Sequence, residues 1–594
     1  MSSRSRRRGS SSPLTPRRSL EPGWDAGSED LQLRSYQVGV LPLVNRLLER
    51  MRLRQILSEH LPADDRRMEL STVSALLVLI RNVFASRQPV YGVAEWAVQF
   101  AADLLDLEPA DLGRLHDDRL GRALDRLFDR VGPALVLAVV RQVVQEFQLN
   151  LDELHNDSTT ISFYGAYEDA QQESQQRGRA TCAITWGHSK DHRPDLKQLL
   201  YILTITEDGG VPVYFTTASG NQADDRTHLD TWDLLCQLVG RPGFLYVADC
   251  KLASSENLRH ITTRGGRFVT ILPHSHKEDQ VFRARLRQKP DSVTWRTLYE
   301  VSSPEGDLQD RLSVLSEEML DNDGYRLLWY HSTRKAQIES LSRNRRLQRA
   351  YLALTDLQAR LSGPRTRFRQ RAKVDQAVEQ LLKEHDVADW LKVEIEEHVE
   401  EIFRQTRRGR PTPNMSYRRE TRPAYRLCWQ LNEPALVEAE REDGVFPLLT
   451  NDRSLDAEQV LRAYKRQPLI EKRFSQFKTD FAVAPVYLKN VARIQGLLAV
   501  YFFVLLLQTL LERELRRAMI EHDVASLPLY PEGRACMRPT AQKIIDLFEP
   551  IQRHELQNQA DQGGKQPVIL VTNLTPLQRK ILRLLGHKPT EYGR

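Results

Sequence analysis

Three acidic residues carry the chemistry this sequence suggests. Asp249 closes the apolar stretch Tyr246-Val247-Ala248 and opens a polar segment, "DCKLASSENL", suited to starting a helix. Asp157 heads the β-branched run "DSTTISFYG", and Glu471 sits in "YKRQPLIEKRFSQFK". A lone carboxylate ending a buried strand is either a helix cap or part of a site, and other acids decide which. Asp157 and Asp249 fall in the first and fourth strands of their region, positions that commonly lie side by side. Carboxylates brought together repel unless a cation neutralises them. Hard oxygen ligands favour Mg²⁺, which keeps water and takes phosphate oxygens to complete its octahedron. Two such ions about 3.5–4 Å apart activate water on one side of a phosphodiester and stabilise the leaving oxygen on the other. That is the chemistry of nucleases and strand transfer. Asp152 rivals Asp157 for the first position, and Glu458 rivals Glu471 for the third.

Around Glu471, Tyr464, Gln467 and Lys478 are spaced for one helical face. Pro468 interrupts that face, because proline deep in a helix removes a hydrogen bond. One helix therefore ends near Arg466 and a second begins with Pro468 in its first turn. Lys478, two turns beyond Glu471, would hold a phosphate. A second polar stretch, "GHSKDHRPDLKQ", contains His188, Asp191, His192 and Asp195. It reads as a structural turn, a metal site, or a basic loop that meets a DNA backbone through Lys190, Arg193 and Lys197. The basic run Arg343–Arg349 is a solvated or a DNA-facing helix surface, and Trp295 and Trp329 read as core.

These residues need elements to hold them. Residues 1–30 are rich in Ser, Arg and Pro and cannot bury enough apolar surface to order themselves, so a disordered basic tail is expected there. Residues 31–148 show helical periodicity, with Ser71 or Thr72 as a cap. From 149 the texture turns to strands: "LHNDSTTISFYG", then two strands joined by Glu207-Asp208-Gly209-Gly210. A helix ending at Gly240, the Asp249 strand, another helix and the strand "RFVTILP" follow. The fold class is α/β, a mixed sheet over 149–279 that resumes at 431–515. Residues 280–430 form a large insertion, and 516–594 a mixed, mostly helical end.

The 594 residues imply two to four domains. A formal charge of +6 permits a polyanionic partner without requiring one. The five cysteines form no CxxC pair, which argues against a zinc ribbon or a disulfide framework. The apolar run within "GLLAVYFFVLLLQTLL" is shorter than a membrane span needs and is bracketed by Gln495 and Gln508, so a buried core helix is expected.

The sequence resembles the DDE transposases of bacterial insertion sequences, in the group with a Tyr-x2-Arg-x3-Glu-x6-Lys signature. Tyr464, Glu471 and Lys478 match it, with Gln467 where the signature has Arg. "GHSKDHRPDLKQ", "VADCKLASSENL" and "KNVARIQGLLAVYFFVLLLQTLLERELR" are similar to segments typical of that group. The resemblance implies an RNase-H-like core with Asp157, Asp249 and Glu471 as catalytic, metal-binding acids. It implies two Mg²⁺ ions, for which Mn²⁺ can substitute. It further implies a cytoplasmic, nucleoid-associated enzyme that binds double-stranded DNA, both transposon ends and target, as a homodimer in a synaptic complex. Cleavage and joining of 3′ ends is the implied reaction. A domesticated DNA-binding protein and an RNase-H-like nuclease without strand transfer are the alternatives.

Overall fold

The computed structural model describes residues 31–65, 68–223, 226–303, 306–363, 366–411, 413–480, 488–558 and 568–592. The basic tail expected at residues 1–30 lies outside them.

The sheet begins with β1 (Glu153–Phe163), β2 (Lys197–Thr206) and β3 (Pro212–Ser219). Every residue of β2 is buried, as expected of a strand covered on both faces. The β2–β3 turn contains Gly209 at φ +81° and Gly210 at φ +64°, a region that glycine enters without steric cost. Short β4 (Leu245–Ala248) and β5 (Arg267–Ile271) follow, each after a helix: Thr227–Val239, which ends on left-handed Gly240, and Ser255–Thr263. β1, β4 and β5 run parallel, and β2 and β3 are antiparallel to their neighbours.

The segment read as an insertion is only partly separate. Its strands β6 (Trp295–Ser302), β7 (Leu308–Leu315) and β8 (Arg326–Ser332) extend the same sheet. The chain then leaves the sheet. Helices α1 (Thr333–Leu361) and α2 (Arg371–Glu384), with strands β9 (Leu391–Gln405) and β10 (Tyr417–Leu431), build a second hydrophobic core. Strand β11 (Val445–Thr450) returns and inserts between β5 and β8. The resulting order, β3-β2-β1-β4-β5-β11-β8-β7-β6, has at one end the five-strand arrangement of an RNase-H-like core. Trp329 is fully buried and stacks on Phe282 at 3.9 Å, whereas Trp295 is only half-buried. Arg343 is neither solvated nor poised for DNA: its side chain is 6 % exposed, pairs with Asp443 and lies over Trp390.

Beyond β11 come α3 (Ala457–Tyr464), α4 (Pro468–Ser475) and α5 (Val491–Glu521). α5 is the expected core helix, with 94 % of its most apolar window buried inside the protein. It packs against the N-terminal helices Thr72–Ala85 and Asp117–Arg130. The approach is close enough that a Cβ at Gly496 would stand 2.5 Å from the Leu124 carbonyl oxygen. The N-terminal helices therefore share one continuous core with the sheet. The N-terminal region also opens with a strand rather than a helix: Leu31–Gln37 pairs antiparallel with Gln552–Asn558, and Ser35 Oγ meets His554 Nδ1 at 2.8 Å.

Candidate active site

The parallel pairing of β1 with β4 matches Asn156 with Ala248. The next residues along each strand are Asp157 and Asp249, so both acids reach the end of the sheet where β4 stops. Crevices at the carboxyl ends of parallel strands are where open α/β sheets bind ligands. Asp249 is the cap of the short helical turn Cys250–Leu252 as well as a candidate site residue. Its Oδ1 accepts from the Lys251 amide at 3.0 Å, and its backbone carbonyl accepts from Thr270 Oγ1 at 2.7 Å. Asp157 is largely desolvated. Burial raises its pKa, the Lys190 ammonium offsets part of the rise, and the Asp249 charge adds to it, leaving Asp157 at about 6.

The third acid arrives on a helix break of the expected form. α3 ends at Tyr464, and α4 begins with Pro468 at its first position. Gln467, between them, fastens this corner to β1: its Oε1 meets His155 Nδ1 at 3.1 Å, and its Nε2 donates to the Asn156 carbonyl at 3.3 Å. Glu471 follows one turn later and is exposed. Tyr464 lies among the acids. Burial raises its hydroxyl pKa, and the charges of Asp249, Cys250, Glu471 and Asp157 raise it further.

α4 is held from behind by a buried ion pair. Arg473 Nη1 meets Glu512 Oε2 of α5 at 2.9 Å, with side chains 2 % and 0 % exposed. Arg473 also donates to the carbonyls of Gly209 and Gly210 at 2.6 and 2.9 Å, tying α4 to the β2–β3 turn. Burial pushes the Glu512 carboxyl up, but Arg473, Arg516 and Lys472 overcome this and hold it below the ordinary range. The sequence reading missed this lock. Its signal was an acid directly after the apolar run of α5, where an unpaired charge is too costly to bury.

The loop before β2 closes over the site. Lys190 Nζ lies 3.3 Å from Asp157 Oδ1 and donates to Ser158 O and Oγ at 2.8 and 2.7 Å. The neighbouring Asp191 pairs with Lys478 and accepts from Thr160 Oγ1 at 3.3 Å. A cation thus sits on the Asp157 carboxylate, and an anion on the lysine expected to hold phosphate.

Three of the six residues expected to contact phosphate are committed within the fold. Gln467 is buried, with both ends of its amide bonded to β1. Lys197 is 6 % exposed, donates to the Ala166 carbonyl and lies over the Trp186 ring at 4.8 Å. Arg193 is exposed, but a two-point pair with Asp195 at 2.8 and 2.7 Å neutralises it. Tyr464 and Lys190 stay beside the acids, and Lys478 is held by Asp191.

Among the described residues, no group of three or more His, Cys, Asp or Glu side chains converges closely enough to hold a metal ion. This answers the His188/Asp191/His192/Asp195 alternative. It also shows that the three acids do not form a ready-made cluster. The donor chemistry still fits one hard cation, because Mg²⁺ takes one or two carboxylates and fills its remaining positions with water and phosphate oxygens. Desolvated Asp157 and neighbouring Asp249 meet that need.

Comparisons with known proteins identify the family. The family model described as "Transposase DDE domain" matches residues 154–507, and a "Domain of unknown function (DUF4277)" matches residues 33–140. No curated protein matches. A cryo-EM structure of a piggyBac transposase synaptic complex with hairpin DNA is similar at 11 % identity and a TM-score of 0.24. That similarity covers 50 % of this chain, spans 63 % of the transposase's length, and is too slight to carry an argument. The family model spans more than half the chain, both strand acids and the Glu471 helix: the chain belongs to the DDE transposase domain family, whose members use divalent metal ions.

Proposed function

We propose that this protein is a transposase that binds the terminal inverted repeats of its insertion sequence, cleaves there and joins the freed 3′ ends to target DNA. The observation that carries the reading is that Asp157 and Asp249 each follow the last matched pair of β1 and β4, Asn156 and Ala248, with Tyr464 in the electrostatic field of both acids and of Glu471. Asp157 and Asp249 hold a divalent cation, Mg²⁺ or Mn²⁺, and Glu471 serves a second ion once DNA is bound. Bound there, the cations supply an activated water and charge stabilisation for the phosphodiester. Entering phosphate takes Lys478 from Asp191, and Lys190 leaves Asp157 for the DNA backbone. Gln467 and the Arg473–Glu512 pair keep α4 in place meanwhile. Two copies act on paired ends, because joining both ends of an element needs two sites.

The variants Asp157→Asn, Asp249→Asn and Glu471→Gln, assayed with Mg²⁺ on a duplex carrying the element's end, are expected to lose cleavage and retain binding. Cleavage that survives each change would remove the site assignment. Supplying pre-cut ends and target DNA separates the readings further. Joined product supports the transposase, and cleavage without joining supports an RNase-H-like nuclease. Binding without cleavage by the unaltered chain supports a domesticated DNA-binding protein.

A further inference from the structure

The second core at α1 and α2 covers only the base of the β9–β10 hairpin, through residues such as Leu391, Tyr425 and Leu427. Pairing nevertheless continues in unbroken register from Leu391↔Leu431 to Gln405↔Tyr417. Thr406 and Ser416 then close the tip, backbone to backbone at 3.1 Å and hydroxyl to hydroxyl at 2.6 Å. About ten residues per strand extend past the core, a reach of about 33 Å at the rise of an extended strand. A two-stranded ribbon this long survives in isolation only where something is gained by its projecting.

Its charge indicates what that is. Residues 402–419 contain six arginines (Arg404, Arg407, Arg408, Arg410, Arg418 and Arg419) and no acid. Arg404 pairs with Glu420, and Arg419 with Glu401. Among the described residues, Arg407, Arg408, Arg410 and Arg418 have no acidic partner, and all four are exposed. Nearer the base the ribbon is acidic, with Glu394, Glu396, Glu397, Glu400 and Glu401 on β9. Lys392, Arg422 and Arg426 are outnumbered by these acids, so the net positive charge is concentrated at the distal end. Pro411 and Pro413 limit the conformations of the tip, which lowers the entropy lost when it is fixed on a ligand.

We infer that this hairpin is a DNA-backbone arm: its arginine tip engages the phosphates of the duplex about 33 Å beyond the second core, outside the acid site. The inference rests on the transposase reading for the identity of the polyanion. Guanidinium groups pair with phosphate in two-point fashion, and a two-stranded ribbon fits the major groove without needing base contacts. Each phosphate neutralised releases counterions, so an arm with three or four free arginines carries a measurable share of the salt dependence.

The test compares the full chain with an R407Q/R408Q/R410Q variant, using fluorescence anisotropy on a labelled duplex of arbitrary sequence between about 50 and 200 mM salt. The variant is expected to bind about tenfold or more weakly. The slope of log affinity against log salt should be shallower by about two to three, and the melting temperature unchanged. Unchanged affinity and slope would overturn the proposal. A change in light-scattering mass with an unchanged salt slope would also overturn it, by showing that the arm holds a second copy of the chain. The outcome is separable from the catalytic reading. If the unaltered chain cleaves no DNA end while the variant loses duplex binding, the activity is wrong and the arm stands; if the chain cleaves and the variant binds like its parent, only the arm fails.

Discussion

Replacing Asp157 with asparagine should make the protein more stable while removing its activity. The ionised carboxylate is disfavoured where it stands, with its pKa raised from 3.8 to about 6 by burial and by Asp249 against the opposing pull of Lys190. Between those two values the folded chain keeps a proton that the unfolded chain has lost. Stability therefore falls as pH rises through that window, and the full penalty remains above pH 6. At 1.36 kcal/mol per tenfold change the ceiling is about 3 kcal/mol; the side chain is 19 % exposed, so solvent keeps the true figure below that. The substituted amide carries no charge, and its oxygen can still accept from Lys190. For a cooperative unit of about 400 residues, 3 kcal/mol corresponds to about 3–4 °C. Differential scanning fluorimetry in EDTA should therefore show Asp157→Asn melting above its parent by up to that amount at pH 7.5. The gap should fall to about half at pH 5, where the parent carboxyl is mostly protonated. A variant that melts at or below its parent at pH 7.5, or a gap that ignores pH, would refute the reasoning.

Three further outcomes follow from contacts around the site. Lys190→Met removes the cation that competes for Asp157, so Mg²⁺ binding followed by calorimetry at pH 8 should tighten several-fold; weaker binding would mean that Lys190 organises the carboxylate instead. Arg473→Met leaves Glu512 with Arg516 as its main cation and should cost about 3 kcal/mol in urea unfolding, with most of the loss recovered in the Arg473→Met/Glu512→Leu pair. Gly496→Val forces α5 away from the Asp117–Arg130 helix and should lower the melting temperature by several degrees or abolish soluble expression, whereas Gly39→Ala, with nothing within 4 Å of its Cβ, should cost only the strain of a positive φ.

The strands and the corner that carry the acids were legible in the sequence for local reasons. A β-branched run, an apolar strand ending in Asp249 and a proline between two amphipathic turns each announce themselves within a dozen residues. The contacts of Lys190, Gln467 and Lys197 were not legible, for the opposite reason: nothing local says whether a polar side chain faces solvent or an unpaired group across the fold. Gln467 bonds to β1 residues 311 and 312 positions earlier. The reach of the sheet was likewise hidden. β6 and β8 have strand-like sequences whereas β7 does not announce itself, and only the antiparallel ladder through β11 shows that all three continue the sheet that carries Asp157. The arginines of the hairpin tip were visible as a cluster, while their isolation at the end of a projecting ribbon depended on pairing that composition does not encode.

The strand at Leu31–Gln37 sets a timetable for biosynthesis. Ser35 and its partner His554 are 519 positions apart, so the strand at Leu31–Gln37 must wait for a partner synthesised 519 residues later. At about 5–20 residues per second that delay is about 25–100 s, during which its backbone donors and acceptors stand open to other chains. A transcript cut short after α5 would leave that edge permanently unpaired. Such fragments should be lost to aggregation or proteolysis rather than persist beside the full-length product.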